Sequence, residues 1–115
     1  MAELINQTKN QPIIKNLRIA TSFSTRSKGF IGRKNLDTQE GLWFPQCNWI
    51  HTFFMSIPID VVYLDKKMKV RKVQKNLKPW RFPAPVLFAH SVIELSVGQI
   101  DSKKIEVGDT LHVGH

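Results

Sequence analysis

Short apolar runs, separated by polar and turn-forming residues, recur along most of the chain and predict a domain built mainly from strands. Pro12–Phe23 is rich in β-branched residues and predicts one or two strands, with a break near Asn16. From Gly41 onward, further runs have the length and the β-branched or aromatic content of strands. These runs are Gly41–Phe44, Cys47–Met55, Ile59–Leu64, Met68–Val73, Val92–Val97 and Thr110–Val113.

One short helix and one long loop interrupt this β pattern. Ser24 can cap a helix that runs to about Lys34. Basic residues in the last turn favour a helix C-terminus there, whereas Gly29 and Gly32 weaken the helix. Between residues 76 and 90, prolines surround Trp80, Arg81 and Phe82 and exclude both a central strand and a helix interior. The sequence therefore predicts a stiff loop over residues 76–90.

The order of these elements predicts an α+β fold that is mainly antiparallel β. Ile59–Leu64 is apolar at almost every position, which a strand buried on both faces would explain. We therefore expect a small closed or nearly closed barrel with one short helix. Residues 1–11 are polar and turn-rich and are expected to form a loose N-terminal tail, and residues 12–115 a single globular domain.

Composition limits the function classes more than it selects one. The chain has 115 residues, 17 Lys+Arg against 9 Asp+Glu and a formal net charge of +8, which permits an anionic partner. A single cysteine, Cys47, excludes an intrachain disulfide and a Cys-rich zinc site. There is no Gly-rich phosphate loop, no apolar core of a signal peptide and no run near the roughly 20 apolar residues that span a bilayer. We expect a cytoplasmic protein with no metal, cofactor or membrane partner.

The chain resembles a known but uncharacterised family through a series of motifs. It contains Arg26-Ser27-Lys28-Gly29-Phe30-Ile31-Gly32-Arg33, then Gly41-Leu42-Trp43-Phe44 and the long segment from Ile50-His51-Thr52 through Pro58-Ile59-Asp60 to Asp65. The similarity continues through Leu77-Lys78-Pro79 and Val92–Gly98 to Gly108-Asp109. This pattern is similar to the family catalogued as domain of unknown function 192, in its histidine-threonine strand variant. The resemblance implies a small, mostly β domain and no established activity.

Three features differ from what this resemblance implies. Lys67 occupies a turn position where the family usually has glycine, so a positive φ there would be costly. Ser56 replaces a cation that relatives with the histidine-threonine strand often carry. Many relatives have an export leader, whereas none is visible here.

The histidine-threonine strand and Asp60 place polar side chains in an otherwise apolar stretch, so each must find a partner. In a structural interpretation, Asp60 accepts backbone N–H bonds or pairs with Arg26 or Arg33, and His51 bonds a loop carbonyl. In a functional interpretation, His51, Thr52 and Asp60 form the floor of a pocket that one of these arginines completes. Both interpretations stay open at this stage.

The proline-rich loop supplies the other candidate site residues. Trp80 and Arg81, with Phe82, offer stacking and charge to a planar or sugar-like ligand, or they simply pack over the open end of the barrel. His90, at the far end of the loop, would line the rim of the pocket. Glu94 is expected to point outward or toward an arginine.

Two further groups suggest chemistry that the spacing supports less well. Cys47 and His51 would lie roughly 13 Å apart along a strand, too far for a nucleophile and its base. The stretch from Lys66 to Arg81 carries eight basic residues and no acidic one, which is compatible with nucleic-acid binding. Lysines on an exposed edge strand also prevent aggregation, so this charge need not bind anything.

Taken together, these features favour a binding or accessory module with a pocket for a small anionic or polyhydroxylated ligand. One alternative is a hydrolase or transferase that acts through His51 and Asp60. Another is weak, non-specific nucleic-acid binding through residues 66–81, although we do not expect nucleic acid to be the main partner. The sequence identifies no protein partner.

Overall fold

The computed structural model describes residues 2–21, 30–52 and 55–114, and it contains strands in nearly every stretch predicted to be β. The strands are β1 (Ala2–Asn6), β2 (Gln11–Ile19), β3 (Glu40–Pro45), β4 (Ile59–Leu64), β5 (Val70–Leu77), β6 (Ser91–Ser96) and β7 (Leu111–Gly114). A one-turn helix, α1 (Gln99–Ser102), lies between β6 and β7.

These strands form one sheet in the order β5-β4-β6-β3-β2-β1-β7. All neighbouring pairs are antiparallel except β2 and β3, which are parallel. The sheet curls into a half-barrel, so that its two edges approach each other at one corner, where Lys69 and Thr110 form an isolated bridge. The Gly108 N–H adds a bond of 2.9 Å to the Val70 carbonyl. The predicted fold class, mainly antiparallel β with one short helix, is confirmed.

Apolar clusters cover both faces of the sheet, which explains the apolar composition of β4. Every residue of β4 is buried. Val62 and Leu64 belong to one cluster, with the inward side chains of β1, β2 and α1. Val61 and Tyr63 belong to the other, which lies beneath the irregular segments around Phe30 and Ile50. Burial on both faces therefore requires a strand without alternating polar positions.

The prediction of a loose N-terminal tail is wrong. Residues Ala2–Asn6 form β1, an inner strand that pairs with β2 on one side and β7 on the other. Ala2, Leu4 and Asn6 are buried, and the Asn6 Nδ2 donates to Asp109 Oδ2 at 2.9 Å. The alternation of buried and exposed residues in β1 is too short and too polar to distinguish this strand from a tail by sequence. Pairing with distant parts of the chain fixes the strand instead.

The predicted helix from Ser24 to Lys34 is not found where the structure can test it. Phe30–Arg33 forms a turn closed by the Arg33 N–H, which donates to the Phe30 carbonyl at 3.2 Å, with Gly32 at φ 84°. Residues 24–29 lie outside the described residues. The short helix α1 was not predicted, because its four residues are fewer than a periodic pattern needs.

Two strand predictions also need correction. Of the predicted strand Cys47–Met55, residues 47–52 are irregular, because their backbone bonds the proline loop instead of a strand of the sheet. Residues 53 and 54 lie outside the described residues. Strand β2 is continuous through Asn16, whose N–H donates to the Gln39 carbonyl at 3.0 Å. Within the described ranges, no helix is long and apolar enough to cross a membrane.

Candidate functional site

Of the two arginines of the predicted site, the structure describes Arg33. Arg26 lies outside the described residues. Arg33 is half-buried, and its Nη2 lies 3.0 Å from each oxygen of Glu40. Its guanidinium carbon also lies 6.0 Å from the centre of the Phe30 ring. The charge of Arg33 is therefore directed to Glu40.

Asp60 is buried and bonds backbone groups at the end of the sheet. Its Oδ1 accepts the Asn76 N–H at 2.9 Å. Its Oδ2 accepts the N–H groups of Gly98 at 3.1 Å and Ile100 at 3.0 Å, at the start of α1. These contacts match the structural interpretation of Asp60, because a buried carboxylate needs such donors.

Thr52 contacts the proline loop. The predicted pocket also combines the histidine-threonine segment with this loop. The Thr52 Oγ1 donates to the Lys78 carbonyl at 2.6 Å and accepts the Arg81 N–H at 2.8 Å. The Thr52 carbonyl accepts the Trp80 N–H at 2.8 Å. Three of the predicted residues therefore meet here, but buried Thr52 contacts them through their backbone and fixes the loop.

His51 is connected to the proline loop through a series of contacts between aromatic rings. Its ring centre lies 5.8 Å from that of Trp49, and Trp49 meets Phe82 edge-on at 4.8 Å. Trp80 is 56% exposed and takes a positive φ of 64°, which is uncommon for a bulky residue. These contacts support packing of the loop over the irregular segment 47–52.

His90 is a predicted site residue that lies exposed at the protein surface. Its N–H donates to the Leu64 carbonyl at 2.6 Å, and its carbonyl accepts the Cys47 N–H at 2.8 Å. It lines two shallow depressions. One, of about 530 Å³, is lined by Gln46, Cys47, Asn48, Trp49, Ala89 and His90. The other, of about 610 Å³, is lined by Asp65, Lys66, Lys67, Lys69, Arg71, Phe88, Ala89 and His90.

We call the second of these the basic depression. A tight turn, Asp65–Met68, supplies Lys66 and Lys67 to this depression, and we call it the lysine turn. The turn is closed by the Met68 N–H, which donates to the Asp65 carbonyl at 3.0 Å. Asp65 Oδ1 accepts the N–H groups of Lys67 at 2.9 Å and Lys69 at 3.0 Å. The turn places its positive φ, 63°, on Met68 and not on Lys67, so the cost of a positive φ does not arise at Lys67.

The charge of the basic depression is unbalanced. Four cations face one carboxylate, and the Arg71 Nη1 lies 4.0 Å from Asp65 Oδ2. Burial raises the pKa of Asp65, but the N–H bonds from Lys69 and Lys67 and the charge of Arg71 outweigh burial and bring this pKa below its ordinary value. Asp65 is therefore ionised at neutral pH and fixes the turn while a positive excess remains.

The basic depression was not recognised from sequence as part of the site. The basic run is visible, but its proximity to His90 depends on the pairing of β4 with β6. Leu64 pairs with Ser91, which brings Asp65 and His90 together at the ends of these strands. The register between β4 and β6 joins distant parts of the chain and cannot be read from local sequence. The only sequence signal for this site is the run of basic residues without an acidic one.

Glu94 does not point outward, as the sequence suggested. It is 3% exposed on β6, opposite Leu42 and Val61. Among the described residues, no group bonds its Oε1. Burial raises the pKa of Glu94 to about 8, so the carboxyl group is mostly neutral at pH 7.

The remaining candidate chemistry is limited. The Cys47 thiol donates to the Trp49 carbonyl at 2.9 Å. Across residues 2–21, 30–52 and 55–114, no group of three or more His, Cys, Asp and Glu side chains is placed to hold a metal ion. The cytoplasmic location stays a prediction.

Comparison with known proteins decides the family. The model of domain of unknown function 192, described as "Uncharacterized ACR", matches residues 4–113. The chain belongs to this family. A UPF0127 protein of Thermococcus sibiricus is 35% identical over 112 residues, which cover 94% of this chain and 72% of that protein. A UPF0127 protein of Pyrococcus abyssi is 35% identical over 112 residues, covering 95% of each chain.

Solved structures share the fold at lower identity. A protein of unknown function from Novosphingobium aromaticivorans superposes with a TM-score of 0.81 at 19% identity, over 96% of this chain and 82% of that one. A protein from Sinorhizobium meliloti gives a TM-score of 0.79 at 18% identity, over 97% and 91%. These structural similarities support the half-barrel fold, and the sequence comparisons establish a conserved family of unknown function.

Proposed function

We propose that this member of domain of unknown function 192 is a binding module that takes an anionic ligand at the basic depression. The observation that carries the proposal is the convergence of Lys66, Lys67, Lys69 and Arg71 on one depression beside His90. Cations concentrated around a concave surface attract anions and raise their local concentration. An anion fits this surface better than a neutral polyhydroxylated ligand does.

The lysine turn is preorganised for this role. Its backbone is held by the Asp65 carboxylate, while Lys66 and Lys67 extend from its tip into solvent. A fixed backbone lowers the cost of ordering the site, and lysine ammonium groups bind phosphate as point charges. We therefore take phosphate-bearing molecules as the ligand class.

The enzyme alternative receives less support from the same geometry. Asp60 accepts three backbone N–H groups through its two carboxylate oxygens, and these bonds account for its burial without a substrate or a bond to His51. Glu94 is neutral and buried and borders neither depression. A binding role needs neither residue.

Calorimetric titration with pyrophosphate tests the proposal. We expect saturable binding at low salt that weakens as salt is added, because exposed charges are screened. Replacing Lys67 and Lys69 with glutamine should lower the affinity about tenfold or more, since each lost cation removes roughly 1 kcal/mol of attraction near the surface. The backbone bonds to Asp65 do not involve these side chains, so the turn should persist.

Lys15→Gln provides the matched control. Lys15 is an exposed lysine on β2 that lines neither depression, and its replacement removes one charge, as Lys67→Gln alone does. Equal losses in Lys15→Gln and in Lys67→Gln alone would reduce the effect to net charge. Absence of binding at low salt would reject the proposal.

A further inference from the structure

A second tight turn lies beside the lysine turn and has the opposite character. The Ala89 N–H donates to the Val86 carbonyl at 3.2 Å, which places Leu87 and Phe88 at the tip of a four-residue turn. Leu87 is 77% exposed and Phe88 is 70% exposed, and Phe88 also lines the basic depression. Large apolar side chains exposed together mark an interaction surface. We call Leu87 and Phe88 the apolar tip.

The backbone holds the apolar tip outward at a conformational cost. Phe88 takes φ 67°, at a turn position that favours glycine or asparagine. A bulky residue in this conformation is unfavourable and is retained where the surrounding structure imposes it. Here the turn is anchored on both sides, by the Val86 N–H to the Asn48 carbonyl at 3.0 Å and by the His90 N–H to the Leu64 carbonyl at 2.6 Å.

Apolar and basic groups meet directly at this surface. The Arg71 guanidinium carbon lies 5.9 Å from the centre of the Phe88 ring, and the lysines of the Asp65–Met68 turn line the same depression. A surface that combines exposed apolar side chains with lysines is complementary to an anionic membrane, which offers hydrocarbon below a layer of negative charge. Lysines suit a diffuse negative surface, whereas bidentate recognition of one group would favour arginine.

We infer that the anion bound at the basic depression is a lipid phosphate headgroup, presented by an anionic membrane surface that the apolar tip enters. This inference rests on the proposed function, because the same cations contact the headgroups. It also departs from the expectation that no membrane partner exists. That expectation followed from the lack of a spanning segment, which does not bear on attachment to a surface.

Vesicle co-sedimentation tests the inference. We expect the protein to bind vesicles that contain phosphatidylserine and not vesicles of phosphatidylcholine alone. Replacing both Leu87 and Phe88 with serine should weaken this binding at least about tenfold, because two apolar side chains then stay out of hydrocarbon. Lys67→Gln should weaken it roughly fivefold, the factor expected for one cation at an anionic surface.

Two further variants separate membrane binding from folding. Val97→Ser is the matched control, since Val97 is 42% exposed and follows β6 at the end of the ladder opposite His90. It should bind vesicles as the wild type does. Phe88→Gly removes the cost of the positive φ, so its thermal stability should be no lower than that of the wild type while its vesicle binding falls.

The outcomes distinguish this inference from the function on which it rests. Pyrophosphate binding without vesicle binding would overturn the membrane inference and leave the anion-binding module intact, whereas loss of both would reject the two together. Vesicle binding that is unchanged in the double serine variant would also overturn it. If the apolar tip instead binds single-stranded oligonucleotides or another copy of the chain, this surface belongs to that partner and the membrane inference is overturned.

Discussion

Two buried carboxyl groups, Asp60 and Glu94, illustrate how the side-chain environment determines a residue's role. Asp60 accepts three backbone N–H groups, whereas the Oε1 of Glu94 has no bonding partner in the described part of the chain. Both residues lie in stretches that read as strands from sequence. The difference arises from donors that are brought in by distant segments, so sequence can predict the need for a partner but not its identity.

Replacing Asp60 with alanine should lower the free energy of unfolding by about 3 kcal/mol, because it leaves three backbone N–H groups without their charged acceptor. Urea denaturation measures this loss. Asp101→Ala is the control, since Asp101 forms an exposed pair with Lys75, and it should cost less than about 1 kcal/mol. An Asp60→Ala variant as stable as the control would contradict the structural role of Asp60.

Glu94 predicts a pH dependence of stability. Burial raises its pKa from 4.5 to about 8 in the folded state, so the folded protein binds one more proton than the unfolded chain between these values. The free energy of unfolding should therefore fall as pH rises through this interval, by about 1.4 kcal/mol per pH unit for this group. Below about pH 4.5 both states are protonated, and the contribution of Glu94 no longer changes.

Denaturation of the wild type and of Glu94→Gln across pH 5 to 8 isolates this effect, because every other ionisable side chain is the same in both proteins. The difference in stability should shift in favour of the glutamine variant as pH rises. Parallel curves would show that Glu94 has an ordinary pKa in the folded state.

At the scale of elements, the strongly apolar strands were predicted correctly from sequence. The prediction failed for segments whose conformation depends on pairing with distant parts of the chain. Ile59–Leu64 was predicted with its observed bounds, because burial on both faces leaves a continuous apolar run. The segment around His51 and Thr52 also resembles a strand in its β-branched and aromatic residues, yet its backbone bonds the proline loop, and no local sequence signal predicts that pairing. The family resemblance correctly indicated a small β domain, but not how its loops pair.

Strand β1 offers a direct test at this scale. Leu4 is fully buried between β2 and β7, so Leu4→Ala should lower the free energy of unfolding by about 2–5 kcal/mol. Glu3→Ala, on the exposed face of the same strand, should change it little. Denaturation of both variants provides the measurement. Equal and small effects would mean that residues 1–6 behave as the tail that the sequence suggested.

At the scale of the whole molecule, the positive charge is distributed between separate tasks. Lys9 pairs with Glu106 and Asp109 where the first and last parts of the chain meet, and Lys75 pairs with Asp101. The lysines beside His90 face one carboxylate and keep a positive excess. The candidate site therefore arises from the fold, because β4 and β6 must pair in register before the basic turn and His90 meet.

A nitrogen-15 chemical-shift titration with pyrophosphate tests the central claim most directly, since it reports every backbone amide of this 13.3 kDa protein. The account predicts saturable shift changes at Lys66–Arg71 and Phe88–His90 that diminish as salt is added. Shift changes that instead centre on Lys103 and Lys104, or that fail to saturate at low salt, would contradict an anion site at the basic depression.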